Sequence, residues 1–173
     1  GVDASLNYDV DFNYMTAAFE SGIADYCTMF EPTASDYEAE GKGYIVASVG
    51  EQSGEIPYTC FAARQSYIDE NPDKIEGLLR AVTKAIKFTM ENSAATIAGY
   101  LTAYFDGTSE ASLANSVQAY KNIDAWVTNM AMEESAFTRL QDVIENSGEL
   151  ERRVDFDELI LTDMAQKVYD EIY

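Results

Sequence analysis

The side chain with the clearest chemical potential is Glu31, which directly follows the strand-like run 24–30 and precedes a proline. A carboxylate between a strand and a helix lies at the carboxyl edge of a parallel sheet, where α/β proteins bind ligands. It also lies beside helix N–H groups that favour its ionised form. We therefore predict that Glu31, with Thr28, Phe30 and Thr33, faces a ligand and accepts hydrogen bonds from it. The open alternative is an acid that caps the helix and touches only backbone.

Asn13 occupies the corresponding position after the first strand-like run, 5–11. It can either contact a ligand or cap a short helix between two aromatic residues of the core. The glycine-containing segment 50–55 is interpreted as a surface turn. It lacks the spacing of a phosphate-binding loop, and its two glutamates would repel phosphate.

Several kinds of chemistry are excluded by composition. The sequence contains no His, so it cannot form an imidazole-based triad or a His-ligated metal site. Cys27 and Cys60 are too few for a thiolate zinc site or a disulfide framework, and we interpret both as small buried residues. No cofactor, metal or catalytic residue is predicted.

Charge narrows the range of partners. The chain has 173 residues, of which 47% are hydrophobic, and a formal net charge of −20. A chain this acidic repels nucleic-acid backbones and anionic membrane surfaces, so neither is an expected partner. No run of apolar residues is long enough to span a bilayer.

The pattern of elements changes near residue 64. Before it, strand-like runs at 5–11, 24–30, 44–49 and 58–62 alternate with short helices, which is typical of βαβ units and a parallel sheet. After it, apolar residues recur at helical spacing in five successive stripes, the first beginning at Asn71-Pro72. The third starts near Thr108 or Ser109 and comprises Leu113, Val117 and Tyr120, and the fifth starts at Asp155 and continues to Ile172. The sequence therefore predicts an α/β fold with a short parallel β-sheet segment followed by a mostly helical C-terminal region.

Five segments in sequence order resemble the substrate-binding proteins of ABC importers in the NMT1/THI5-like group. They are FESGIADY (19–26), FEPTA (30–34), EGKGYIVASVGE (40–51), GEIPYT (54–59) and NPD (71–73). The resemblance extends from about residue 9 to 151. Such proteins consist of two α/β lobes joined by crossover strands, with the ligand in the cleft between them.

The resemblance implies a division of this chain and a role for it. Residues 1–56 would be part of the second lobe, 57–63 the crossover or hinge strand, with Tyr58 near the ligand, and 64–173 the helical end of the first lobe. The chain would be roughly the C-terminal half of such a protein, a truncated form with apolar faces free to self-associate. It would be a non-enzymatic, extracytoplasmic component that captures a small organic ligand for an ABC transporter permease.

Two other functions remain open from the sequence. One is an enzyme that uses carboxylates alone, for which Glu31 has no evident partner. The other is a helical interaction module. The resemblance implies a ligand such as a sulfonate, nitrate, a pyrimidine precursor of thiamine or a flavin-like compound. The acidity of the predicted wall favours a neutral or cationic heterocycle over nitrate or a sulfonate.

Overall fold

The structure is a computed structural model that describes residues 5–173. Within that range the regular elements are helices. They are α1 (Met15–Glu20), α2 (Thr33–Ala39), α3 (Val49–Ser53), α4 (Gln65–Glu70), α5 (Pro72–Glu91), α6 (Ala94–Leu101), α7 (Glu110–Asn122), α8 (Glu134–Asn146), α9 (Phe156–Leu159) and α10 (Asp163–Ile172). Two short 3-10 helices, Phe12–Tyr14 and Thr102–Tyr104, precede α1 and follow α6.

Local signals account for several helix boundaries. Helix α5 begins at Pro72, as predicted, since proline at the first helical position needs no N–H partner. Ser93 and Ser109 cap α6 and α7 by accepting hydrogen bonds from backbone amides of Thr96 and Ser112.

Two helix pairs form most of the small core. Helices α6 and α7 pack together and bury Ile97, Ala98, Leu113 and Val117. Helix α2 packs on the same α7, which places the start of α2 beside the middle of α7.

The second pair is α5 with α10. Thr83, Ala165 and Val168 are buried in their contact. At its edge Arg80 forms an ion pair with Glu171. The C-terminal helix is thereby joined to the longest helix of the chain by apolar burial and by charge.

The predicted parallel β-sheet is wrong. No strand occurs among residues 5–173, and the runs predicted as strands are irregular except for Val49, which begins α3. A strand exists only through hydrogen bonds to a neighbouring strand, and the four runs do not pair with one another. Their side chains are accordingly open to solvent: Tyr44 is 89% exposed and Val46 72% exposed.

Three smaller predictions also need correction. Asp11, not Asn13, caps the first helical turn by accepting from the Asn13 amide. The predicted turn at 50–54 is largely the short helix α3, which Ser48 caps. The last predicted helix is divided into α9 and α10 at Ile160, where the backbone is extended.

Exposed apolar side chains are concentrated in the irregular segments. Leu6, Tyr26, Ile45 and Phe61 are examples, all of them large and all exposed. In the described part of the chain, none of the helices is long and apolar enough to cross a membrane.

Candidate functional site

Glu31 joins two helices through one carboxylate oxygen. Its Oε2 accepts a hydrogen bond from the backbone amide of Ser35 at 3.1 Å, in the first turn of α2. The same oxygen accepts from the hydroxyl of Ser116 at 3.3 Å, in α7. The Glu31–Pro32 peptide bond is cis. Glu31 therefore caps a helix, as the alternative interpretation held, but it also contacts a side chain 85 residues away.

Ser116 is a buried partner of this carboxylate. It is only 6% exposed. Its hydroxyl also lies 2.8 Å from the carbonyl oxygen of Ser112, one turn earlier in α7. Since a serine hydroxyl carries one proton, the two acceptors share it, and an ionised carboxylate is the stronger acceptor.

Tyr120 lies one turn beyond Ser116 and borders the same region. The pKa of the Tyr120 hydroxyl is raised, and the largest cause is burial. A hydrogen bond from the backbone of Glu31 lowers this pKa, whereas the nearby charges of Glu31 and Tyr58 raise it. The hydroxyl is thus protonated at neutral pH. Its ring meets that of Trp126 edge to face, with centroids 5.6 Å apart.

Three aromatic rings lie together around Phe30, the residue that precedes Glu31 in the chain. We call Phe12, Phe30 and Tyr58 the aromatic triad. The ring centroids of Phe12 and Phe30 are 5.8 Å apart, and those of Phe30 and Tyr58 are 5.5 Å apart. All three are exposed, at 65%, 46% and 79% respectively. Exposed rings held in mutual contact offer an apolar surface on which a flat molecule can lie.

The structure thus brings together three of the predicted ligand-binding residues: Phe30, Glu31 and Tyr58. The other three are Asn13, Thr28 and Thr33. Asn13 is exposed, and its side-chain amide donates to Asp11. Within residues 5–173 no hydrogen bond joins the side chains of these three residues to Glu31, and their role in binding stays a prediction.

Sequence reasoning missed Ser116 and assigned Tyr120 only to an apolar stripe. A signal was present, because Ser112, Ser116 and Tyr120 follow at intervals of four and form a polar column beside the apolar positions Leu113 and Val117. What the sequence did not show is that Glu31 faces this column.

Two surface depressions lie near the site, and neither includes Glu31. One of about 530 Å³ runs along α1 and includes Asp9, Asp11 and Tyr14. The other, of about 150 Å³, is lined by Tyr58 and Cys60 and by apolar side chains that include Phe137 and Leu140. The rings of the aromatic triad are exposed, whereas Glu31 is half-buried.

The two cysteines are free thiols that differ in exposure. Cys27 is half-buried, and burial raises its pKa. Cys60 is exposed, so the prediction that both are buried is wrong for Cys60. Among the described residues no cluster of three or more Cys, Asp or Glu side chains could hold a metal ion.

Comparison with known proteins agrees with the resemblance seen in the sequence. Residues 7–101 match the model of the NMT1-like family. The chain is 36% identical over 169 residues to a protein of Bacillus subtilis (strain 168) named "Putative binding protein YtlA". That alignment covers 98% of this chain and 51% of the relative, so the chain spans about half the length of the curated relative it matches. No solved structure matches the chain. Because the family match covers more than half of its residues, the chain belongs to the NMT1-like family.

Proposed function

We propose that this chain belongs to the solute-binding component of an ABC importer, which captures a small organic ligand outside the cytoplasmic membrane and delivers it to a permease. Family membership and the name of the relative support a solute-binding role. Such a protein works by binding and release, without turnover of its ligand.

The observation that carries the proposal is the position of Glu31 beside the aromatic triad. Oε2 of Glu31 is held by Ser35 and Ser116. No hydrogen bond within residues 5–173 engages its Oε1. One oxygen thus orients the carboxylate, and in our proposal the other accepts a hydrogen bond from the ligand. Binding sites for small molecules combine apolar surface with a few fixed polar groups of this kind.

This combination defines the chemical class of the ligand. A carboxylate accepts hydrogen bonds and attracts positive charge, while it repels oxyanions. The exposed rings Phe12, Phe30 and Tyr58 favour a flat, partly apolar molecule. We therefore propose a neutral or cationic heterocycle with an N–H donor, such as an aminopyrimidine.

The same surface is one wall of a larger site in our proposal. Residues 1–56 would contribute to the second lobe, 57–63 would form the hinge, and 64–173 would complete the first lobe. The chain spans half of its relative, and the runs that resemble strands have no partner strand among residues 5–173. A second wall would enclose the ligand, and closure would follow from ligand contacts to both lobes.

A ligand panel tests the proposal on the 173-residue chain itself. The probes are 4-aminopyrimidine, pyrimidine as the matched compound without the amino donor, nitrate and ethanesulfonate. Two-dimensional NMR titration registers weak binding and locates it. We expect 4-aminopyrimidine to shift the amide signals of residues 30–35 and of α7 at lower concentration than pyrimidine does.

Two results would count against the proposal. Tighter binding of nitrate or ethanesulfonate than of 4-aminopyrimidine would show that the ligand class is wrong. Binding of no probe at residues 30–35 would show that this surface is not a ligand wall.

A further inference from the structure

We propose that Ser116 is a positioning residue for Glu31, so that a side chain of the helical region orients the carboxylate that meets the ligand. This inference rests on the proposed function, because it assigns a supporting residue to that same site. Its geometric basis is the hydrogen bond of 3.3 Å from the Ser116 hydroxyl to Glu31 Oε2.

The burial of Ser116 makes this contact significant. A buried hydroxyl that loses its hydrogen-bond partner pays a desolvation penalty. Arrangements in which the acceptors of the Ser116 hydroxyl stay in place are therefore favoured. Ser116 has two acceptors: the carbonyl of Ser112 within its own helix and the carboxylate of Glu31. Of these two hydrogen bonds, only the one to Glu31 leads outside α7.

The Ser35 amide is the second donor to this carboxylate. It donates to the same Oε2 at 3.1 Å, so this oxygen is bound by α2 and by α7 together. With two donors from two helices, the carboxylate cannot rotate without losing both. Oε1 is then presented in one direction, and the ligand does not have to bear the entropy cost of ordering the side chain.

Tyr120 borders the arrangement from the next turn of α7. Its ring contacts that of Trp126, and burial together with the charge of Glu31 raises the pKa of its hydroxyl. Helix α7 therefore holds Glu31 by its side chain through Ser116.

The test compares Ser116→Ala with Ser116→Thr, which restores a hydroxyl at the same position. Ser112→Ala is the matched control, since the Ser112 side chain is equally buried in α7 but donates nothing to Glu31. Alanine favours helix, so α7 should remain folded in both alanine variants. Exchange protection of the Leu113 and Val117 amides checks this directly.

Two readouts are measured in the full chain. The first is hydrogen exchange of the Ser35 amide, which needs no ligand. We expect Ser116→Ala to accelerate it about tenfold, because a hydrogen bond to a charged group is lost. The second is the affinity for 4-aminopyrimidine, expected to fall about tenfold for the same reason. Ser116→Thr should restore both values, and Ser112→Ala should leave both unchanged.

The outcomes separate this inference from the proposed function. If Ser116→Ala leaves Ser35 exchange and affinity unchanged while Glu31→Gln loses binding, the positioning role is wrong and the binding site stands. Equal effects of Ser112→Ala and Ser116→Ala would also overturn it, since they indicate a general packing role. If Glu31→Gln binds 4-aminopyrimidine like the unaltered chain, the proposed site is wrong, while Ser35 exchange still decides whether Ser116 holds the carboxylate.

Discussion

The hydroxyl of Ser116 and the carboxylate of Glu31 meet at 3.3 Å although 85 residues separate them in the chain. The contact joins the start of α2 to the middle of α7. It therefore links the segment in which the sequence predicts a ligand-binding carboxylate to the helical region. For that region the sequence predicts only apolar stripes that pack in the core.

The side chain of Gln141 leads to a prediction about stability. Its amide nitrogen donates to the carbonyl of Val154 at 3.1 Å, and its oxygen accepts from the amide of Val154 at 2.8 Å. Gln141 is buried, so Gln141→Ala leaves two backbone groups without partners. We expect a loss of about 1–3 kcal/mol in the free energy of unfolding.

Urea denaturation measures that loss, and Gln118→Ala is the matched control. Gln118 is exposed and bonds only to Asn122 in its own helix. Its replacement should change stability by no more than about 0.5 kcal/mol. Equal effects of the two substitutions would contradict the role assigned to Gln141.

Two glycines should respond to alanine in opposite directions. Gly54 has φ of 68°, and an added Cβ would lie 2.5 Å from a guanidinium nitrogen of Arg139. That guanidinium donates to the carbonyl of Glu55, so Gly54→Ala disturbs both the backbone and this bond. The expected destabilisation is about 1–3 kcal/mol.

Gly77 lies inside α5, where an added Cβ meets nothing within 4 Å. Gly77→Ala should stabilise the chain by about 0.5–1 kcal/mol, because alanine loses less backbone entropy in a helix. Thermal denaturation of both variants measures the two changes in stability. Stabilisation by Gly54→Ala would contradict the positive φ of residue 54 and the close approach of Arg139 to it.

The ion pair between α5 and α10 should depend on pH. The hydrogen bond from Arg80 lowers the pKa of Glu171 below its ordinary 4.5. A carboxyl group with a lowered pKa in the folded state stabilises the fold above its ordinary value. That stabilisation is lost as pH falls through the lowered value.

Melting temperatures of Glu171→Gln and of the unaltered chain test this between neutral and acidic pH. Glu149→Gln is the control, because Glu149 forms no ion pair within residues 5–173. Loss of the Glu149 charge therefore reports only the reduced self-repulsion of a chain with net charge −20. Relative to that control, Glu171→Gln should melt lower at neutral pH. The difference should vanish in acid, and a difference independent of pH would contradict the assignment.

The exposed apolar segments predict self-association of the isolated chain. Side chains such as Tyr44, Val46 and Phe61 are open to solvent, and exposed apolar surface favours association with a partner. The net charge of −20 opposes association, and salt screens that repulsion. Light scattering should show a mass that rises with concentration and with salt. A monomer under all these conditions would contradict the proposal that a second part of the protein covers these segments.

The helices could be predicted because their signals are local. The start of α5 at Pro72 and of α7 after Ser109 depends on residues within one turn. The strands failed for the opposite reason. The run 44–49 has the composition of a strand, but a strand needs a neighbour, and nothing among residues 5–173 provides one.

The candidate site was predictable in part on the same principle. Glu31 and Phe30 were identified from their neighbours in sequence. Ser116 was not, because its significance depends on a contact across the fold. The short helix α3 was missed because two glycines in the segment outweighed the capping signal from Ser48.

The most direct test of the account is NMR titration of the 173-residue chain and of Glu31→Gln with 4-aminopyrimidine. The substitution keeps the size of the side chain and removes its charge. We predict that the unaltered chain shows saturable shifts at Ser35, Ser116 and Tyr120, and that Glu31→Gln weakens binding at least about tenfold. Equal affinity in the two proteins, or shifts confined to other parts of the chain, would contradict the claim that Glu31 and the aromatic triad bind the ligand.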